Sequence, residues 1–319
     1  MSWPNNYPDT PDEQPEKKAP SRPMQPGGIL KDFAVGFKLA ATNFLSYALA
    51  MFGVIFVTIV LLIIILLFIF IPLLITLGLP FLISFAIYIE ETFTTATSLS
   101  LVTLILLLVL PILGPFFVAL GSLFGMSREV VESDGTYAES VFSWYRKKGL
   151  SLLGGGALHF IVTLAPFIIA FIGITYPTWN PPSNEVLQLI IPLGVLWVFL
   201  INGMLSLTFP AIIDGYSVVR AAARSVRLTA QFPGRVLGAW TIMFLIVGLP
   251  ITSIISELAF LFPSFIPVHW FEPYAGAIIL LLIFYVIPAF SIVLTRIYMI
   301  LTARVDATYT LDDSGGDTL

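Results

Sequence analysis

Residues Phe44–Tyr88 read FLSYALAMFGVIFVTIVLLIIILLFIFIPLLITLGLPFLISFAIY, 45 consecutive positions without an acidic or basic side chain. A helix crosses a bilayer with roughly 20 apolar residues, so this run alone marks lipid as the solvent. The remaining chain follows suit: Ser98–Gly125, Gly149–Tyr176, Val186–Ile213, Val236–Phe262 and Tyr274–Leu301 are each long enough for one crossing. Composition agrees, with 58% hydrophobic and 11% charged residues and a mean hydropathy of +0.97. Soluble domains carry about 25% charged residues.

Basic residues set the orientation. Lys17, Lys18, Arg22, Lys31 and Lys38 precede the first run, and Arg128, Arg146, Lys147 and Lys148 separate the second from the third. Arg220, Arg224, Arg227 and Arg235 separate the fourth from the fifth, and Arg296 and Arg304 close the sixth. The alternate loops, around Glu90 and Glu91, Glu185, and His269 and Glu272, carry no Lys or Arg. The positive-inside bias then predicts a multi-pass protein of the cell membrane with both termini cytoplasmic. Tyr176 and Trp179 in one outer loop, and Trp270, Phe271 and Tyr274 in the other, are the aromatic residues expected at headgroup level.

The long first run constrains the count. Two full crossings within it would put Arg128 and the Arg146 cluster outside unless another span were lost. We therefore expect one long helix to about Pro72, followed by an apolar segment, Leu73–Tyr88, that dips into the outer leaflet or lies on it, with a turn at Gly78-Leu79-Pro80.

Residues 1–28 are rich in proline and poor in aliphatic side chains, a composition that predicts a disordered cytoplasmic tail. The first apolar run is far longer than a signal-peptide core of roughly 7–15 residues. Pro20, Pro23 and Pro26 give two overlapping PxxP matches, a spacing that also arises by chance in any such tail. Residues 306–319 are expected to be an acidic cytoplasmic tail, and 29–305 the membrane domain.

The basic clusters share a plan in which an amphipathic stretch leads into a span, suggesting an internal repeat of about 85–105 residues in three copies. In the third copy Tyr216, Val219, Ala223, Val226 and Ala230 recur at helical spacing, with Arg220, Arg224 and Arg227 on an adjoining strip. Such a helix suits the interface, apolar face to acyl chains and arginines to phosphates. The second copy runs from Ser127 to Lys148 and the first from Ile29 to Asn43, where Ile29, Phe33, Phe37 and Ala40 share a face. Pro72, Pro166 and Pro250 recur late in the odd spans, and Pro111, Pro192 and Pro288 interrupt the even ones. They predict kinks, a feature common in membrane helices and not by itself a sign of a cavity.

The segment Phe209-Pro210-Ala211-Ile212-Ile213-Asp214-Gly215, with Ala221 to Arg224, Ser225, Leu228-Thr229 and Arg235-Val236-Leu237-Gly238, resembles the most recognisable stretch of a broad group of multi-spanning proteins. The group comprises the membrane domain attached to some bacterial glycerophosphodiester phosphodiesterases and related stand-alone integral membrane families. Gly125-Met126 and Gly149 to Gly154 resemble its less distinctive junction. In that family the phosphodiesterase activity resides in a separate soluble barrel, so the resemblance implies a membrane unit with no activity attached.

Candidate chemistry is sparse. Cysteine is absent, which removes thiolate catalysis and Cys-based metal sites. Neither an HExxH helix, a GxSxG elbow, a P-loop nor a helix-opening GxGxxG is present. Ionisable or amide groups within spans merit attention because lipid makes them costly. His159 lies near the middle of the third span and Asn202 within the fourth; both are candidates for an intramembrane polar site, and for plain interhelical hydrogen bonding. Glu257 and Arg296 lie close enough to opposite surfaces to reach water or headgroups. Gly154-Gly155-Gly156 is read as close helix packing rather than a phosphate loop. Asp214 is read as an N-cap of the third amphipathic helix, with pairing to Arg224 or Arg235, or cation binding, as alternatives. Arg220, Arg224, Arg227 and Arg235 are the strongest candidates for binding a lipid or partner, since each basic group near an anionic leaflet contributes about 1 kcal/mol.

The expected fold is all-α: a polytopic bundle of six transmembrane helices in three repeated hairpins, each preceded by a cytoplasmic interfacial helix. The expected function is non-enzymatic, a scaffold or accessory factor at the cytoplasmic leaflet, without cofactor or metal. Its expected partners are membrane lipids, anionic ones in particular, or another membrane protein, and not nucleic acid. The alternative is a transporter or channel for a lipid-like or apolar solute, with His159 and Asn202 lining its cavity.

Overall fold

The computed structural model describes residues 27–95, 98–175, 184–255 and 276–314, and every regular element among them is helical. In chain order these are α1 (Ile29–Thr42), α2 (Phe44–Thr95), α3 (Ser98–Ser133), α4 (Ser140–Thr175), α5 (Asn184–Leu205), α6 (Thr208–Ile213), α7 (Val218–Gln231), α8 (Pro233–Ile255) and α9 (Ile287–Ser314). Four stretches among the described residues are long and apolar enough to cross a membrane: Phe44–Phe68, Ser140–Pro166, Pro192–Ile213 and Gly276–Val305. A fifth arises when α7 and α8, bent by 104° at their junction, are taken as one broken span. The chain is thus an all-helical protein with the elements of a membrane bundle. The aromatic outer-loop residues Tyr176, Trp179, Trp270, Phe271 and Tyr274, and Glu257, lie outside the described residues, as does most of the proline-rich tail.

The break expected in the first apolar run falls at Gly78, whose φ of 77° and ψ of 165° leave helical space. A positive φ suits glycine because it has no Cβ to clash. Pro72 does not end the helix: its carbonyl accepts a 2.7 Å hydrogen bond from Thr76 Oγ1, and α2 continues to Gly78 and beyond it. Pro166, Pro192 and Pro250 likewise sit inside continuous helices. Ahead of Pro288, residues Leu282–Val286 widen into a π turn, a common way to absorb the hydrogen bond and the space that proline disturbs.

The amphipathic copies differ from one another. The stretch Ser127–Lys148 forms no separate interfacial helix; α3 runs on to Ser133, a short turn follows, and α4 begins at Ser140. Asp134 takes the left-handed conformation in that turn, with φ 62°. The first copy does form a helix, but α1 is docked against the bundle. Phe33, Gly36 and Ala40 are buried, and Phe37 meets Tyr285 and Phe290 edge-on at 5.7 and 5.9 Å between ring centroids. Only α7 keeps the character expected of an interfacial helix. At the C-terminal end of the described residues, α9 remains helical through Ser314.

Among the described residues, packing is densest at the end of the bundle that carries the basic residues. There Phe33, Leu207, Phe209, Ile212, Val293, Ile297 and Leu301 form one core, and Tyr47, Leu123, Met126, Val130 and Ile292 a second. Glycines let the helices approach closely: a Cβ on Gly125 would overlap the Trp144 ring, one on Gly156 the Phe117 ring, and one on Gly155 the Ile212 side chain. The Gly154–Gly156 run is therefore a packing surface, as its sequence suggests. Further along α2, Phe68 and Ile75 are each 76% exposed, the accessibility expected of side chains facing acyl chains.

Candidate functional site

Two carboxylates organise the basic end, and both act on opposite flanks of α9. Asp32, on α1, is fully buried; one oxygen accepts from Arg235 Nη2 at the start of α8 and the other from Arg296 Nε of α9 at 3.2 Å. A charge removed from water survives only when paired and hydrogen-bonded, and these two arginines supply that pairing. Arg296 is therefore held inside the bundle instead of reaching toward headgroups. Arg235, expected at a binding surface, is consumed by the same pairing, with a side chain only 11% exposed.

Asp214 is the second organiser. It closes α6 at its C-terminal end and does not cap α7, whose N-cap position is Ser217. Its two oxygens accept from Arg128 Nη1 at 2.8 Å and from the Tyr298 hydroxyl at 3.0 Å. Asp214 thus joins Arg128 of α3 to Tyr298 of α9, while Arg235 pairs with Asp32. Burial opposes the Arg128 charge, but Asp214 and the neighbouring Glu132 outweigh it and hold the guanidinium above its usual pKa.

Between α5 and α6 the helix breaks at Ser206-Leu207, freeing backbone groups inside the bundle. Ser225 of α7 satisfies two of them, donating to the Met204 carbonyl at 2.7 Å and accepting the Leu207 N–H at 3.1 Å. Thr229, one turn on, donates to the Ser225 carbonyl at 2.9 Å. The buried face of α7 is therefore Ala221, Ala222, Ser225, Leu228 and Thr229.

That docking turns part of the predicted apolar stripe outward, while Tyr216 packs half-buried against the core and Val226 is half-buried. Val219 is 71% exposed, and Ala223 and Ala230 are exposed beside it. Arg220 and Arg227 flank this stripe and are exposed too. Arg224 lies nearer the bundle, its guanidinium 4.6 Å from the centroid of the Tyr216 ring. The four arginines singled out by sequence thus separate into two on the surface, one stacked at the rim and one locked inside.

The intramembrane polar residues both contact neighbouring helical segments. Asn202 donates to the Val198 carbonyl at 2.8 Å and to Thr163 Oγ1 of α4 at 3.4 Å. His159 lies flat on Phe209, with 5.9 Å between ring centroids and 4° between planes; its Nδ1 is buried without a hydrogen-bond partner. Thr163 lies one helical turn from His159 on α4, so Asn202 contacts the same face of that helix. An open apolar groove of about 500 Å³ lies elsewhere, between α5 and α8, lined by Pro192, Val195, Leu196, Phe199 and Phe244.

The residues missed by sequence reasoning are Asp32, Arg128 and Ser225. Asp32 had a legible signal, because with Ile29, Phe33, Gly36 and Ala40 it falls on the apolar side of a helix. A carboxylate there calls for a buried partner. Fold and site together define an all-helical, membrane-type bundle that is ion-paired at one end. Comparison with protein-family models, with curated proteins and with solved structures finds no match.

Proposed function

We propose that this chain is a non-enzymatic scaffold or accessory protein of the cell membrane that acts at the cytoplasmic leaflet through α7. The observation that carries this reading is the division of α7 into three strips: a buried polar-pinned face, an exposed apolar face, and exposed Arg220 and Arg227 between them. A helix bent by 104° from the following span lies across the bundle axis, which is the attitude of a helix resting in the headgroup region. Its arginines then meet phosphates of an anionic leaflet. Within this reading the bundle has six crossings and cytoplasmic termini, and it belongs to the multi-spanning group that Phe209–Gly215 resembles in sequence.

The test is lipid retention. Protein reconstituted in mixed phosphatidylcholine and phosphatidylglycerol discs is extracted gently and its bound lipids are weighed. Wild type retains phosphatidylglycerol above its share of the mixture, and the variant combining Arg220→Gln with Arg227→Gln loses that enrichment. Unchanged enrichment in a variant that melts like wild type would remove the reading.

A further inference from the structure

The groove between α5 and α8 and the basic edge of α7 belong to one structural unit. Helix α7 packs across the basic ends of α4, α5 and α8. Along the α5/α8 seam, Gly203 admits Leu237 and Trp240, and one turn deeper Phe199 meets Phe244 edge-on at 5.4 Å between ring centroids. The groove opens beside that pair, over Pro192, Val195 and Leu196. At 1.5 Å per residue, Phe199 and Pro192 lie about 9 and 20 Å along α5 from its Leu205 end. One leaflet of a hydrocarbon core is about 15 Å deep, so measured from the Leu205 end the groove starts in the inner part of that leaflet and reaches the bilayer middle, where the end of an acyl chain lies.

From these positions we infer a discrete site for one anionic glycerophospholipid. Its phosphate is held at Arg227 and Arg220, and one acyl chain fills the groove of Pro192, Val195, Leu196, Phe199 and Phe244. The charge on α7 selects an anionic headgroup. The groove, whose lining side chains are all apolar, supplies the shape that turns diffuse attraction into a single bound molecule. The inference rests on the interfacial reading of α7 and adds to it a stoichiometry and a location.

The test uses native mass spectrometry of the full chain with phosphatidylglycerol and phosphatidylcholine of matched chains. Val195→Trp and Leu196→Trp fill the groove from positions 54% and 52% exposed, where a larger side chain leaves the packed core untouched. The expected result is one phosphatidylglycerol adduct on wild type, at least tenfold less of it on either groove variant, and little phosphatidylcholine adduct on any. Equal retention of both lipids overturns the site, as does a wild-type adduct on the groove variants, or a dimer that those variants abolish. If the arginine variant loses enrichment while the groove variants keep the adduct, the site falls and the interfacial reading stands. If neither set changes anything, both fall.

Discussion

Asp32 binds Arg235 across 203 positions of chain, and its second oxygen binds Arg296 at 3.2 Å. One buried carboxylate thereby ties α1 to the start of α8 and to α9. Removing a partner from a buried ion pair strands a charge, at a cost of about 3–5 kcal/mol. Asp32→Ala leaves two arginines facing each other and is expected to lower the unfolding midpoint sharply in detergent, followed by intrinsic tryptophan fluorescence. Lys38→Ala, at an exposed site on the same helix, is the control and should melt near wild type. Equal midpoints for the two variants would mean that the triad does not hold α1.

The Asp214 centre predicts a graded series. Tyr298→Phe removes one hydrogen bond to a charged acceptor, about 1.5–3 kcal/mol, while Arg128 still satisfies the carboxylate. Asp214→Ala removes the acceptor for both and should cost more. In a double-mutant cycle, Arg128→Met and Asp214→Ala should show a coupling of about 0.5–3 kcal/mol. Strict additivity would contradict the 2.8 Å contact.

Ser225→Ala strips the Leu207 N–H of its side-chain partner at the break between α5 and α6 and leaves the Met204 carbonyl the longer 3.4 Å bond from Thr229 Oγ1. Buried groups left unsatisfied cost about 1–3 kcal/mol, so destabilisation of that size is expected, with faster amide hydrogen exchange at Leu207. Ala223→Ser, on the exposed side of α7, should do neither. An unchanged exchange rate at Leu207 in Ser225→Ala would show that α7 is not pinned there.

What was legible in the sequence was local. Hydropathy over Phe44–Tyr88 announced a membrane helix, the positive φ at Gly78 sits where glycine and proline adjoin, and helical spacing found the outward stripe of α7. What was hidden depends on tertiary partners. Nothing near Asp214 indicates that Arg128 will meet it, and a cap is the cheaper local account. The expected interfacial helix over Ser127–Lys148 fails for a related reason. There Glu129 accepts the Trp144 indole N–H at 2.9 Å and Arg128 pairs with Asp214. Those contacts let α3 and α4 extend as one hairpin.

Topology offers the sharpest remaining prediction, because the chain contains no cysteine and any introduced thiol reports alone. Tyr137 lies in the turn between α3 and α4 and is 79% exposed, and Asn184 begins α5. Between them α4 includes a candidate span, Ser140–Pro166. From Arg146, Lys147 and Lys148, the positive-inside bias predicts a cytoplasmic Tyr137 side. Tyr137→Cys should therefore react with a membrane-impermeant maleimide in inverted vesicles and not in intact cells, and Asn184→Cys should do the reverse. Labelling of both from the same side would mean that α4 does not cross. Reversed sidedness for the pair would turn α7 to the outer leaflet and break the link between its arginines and cytoplasmic phosphates, while leaving the ion pairs of Asp32 and Asp214 intact.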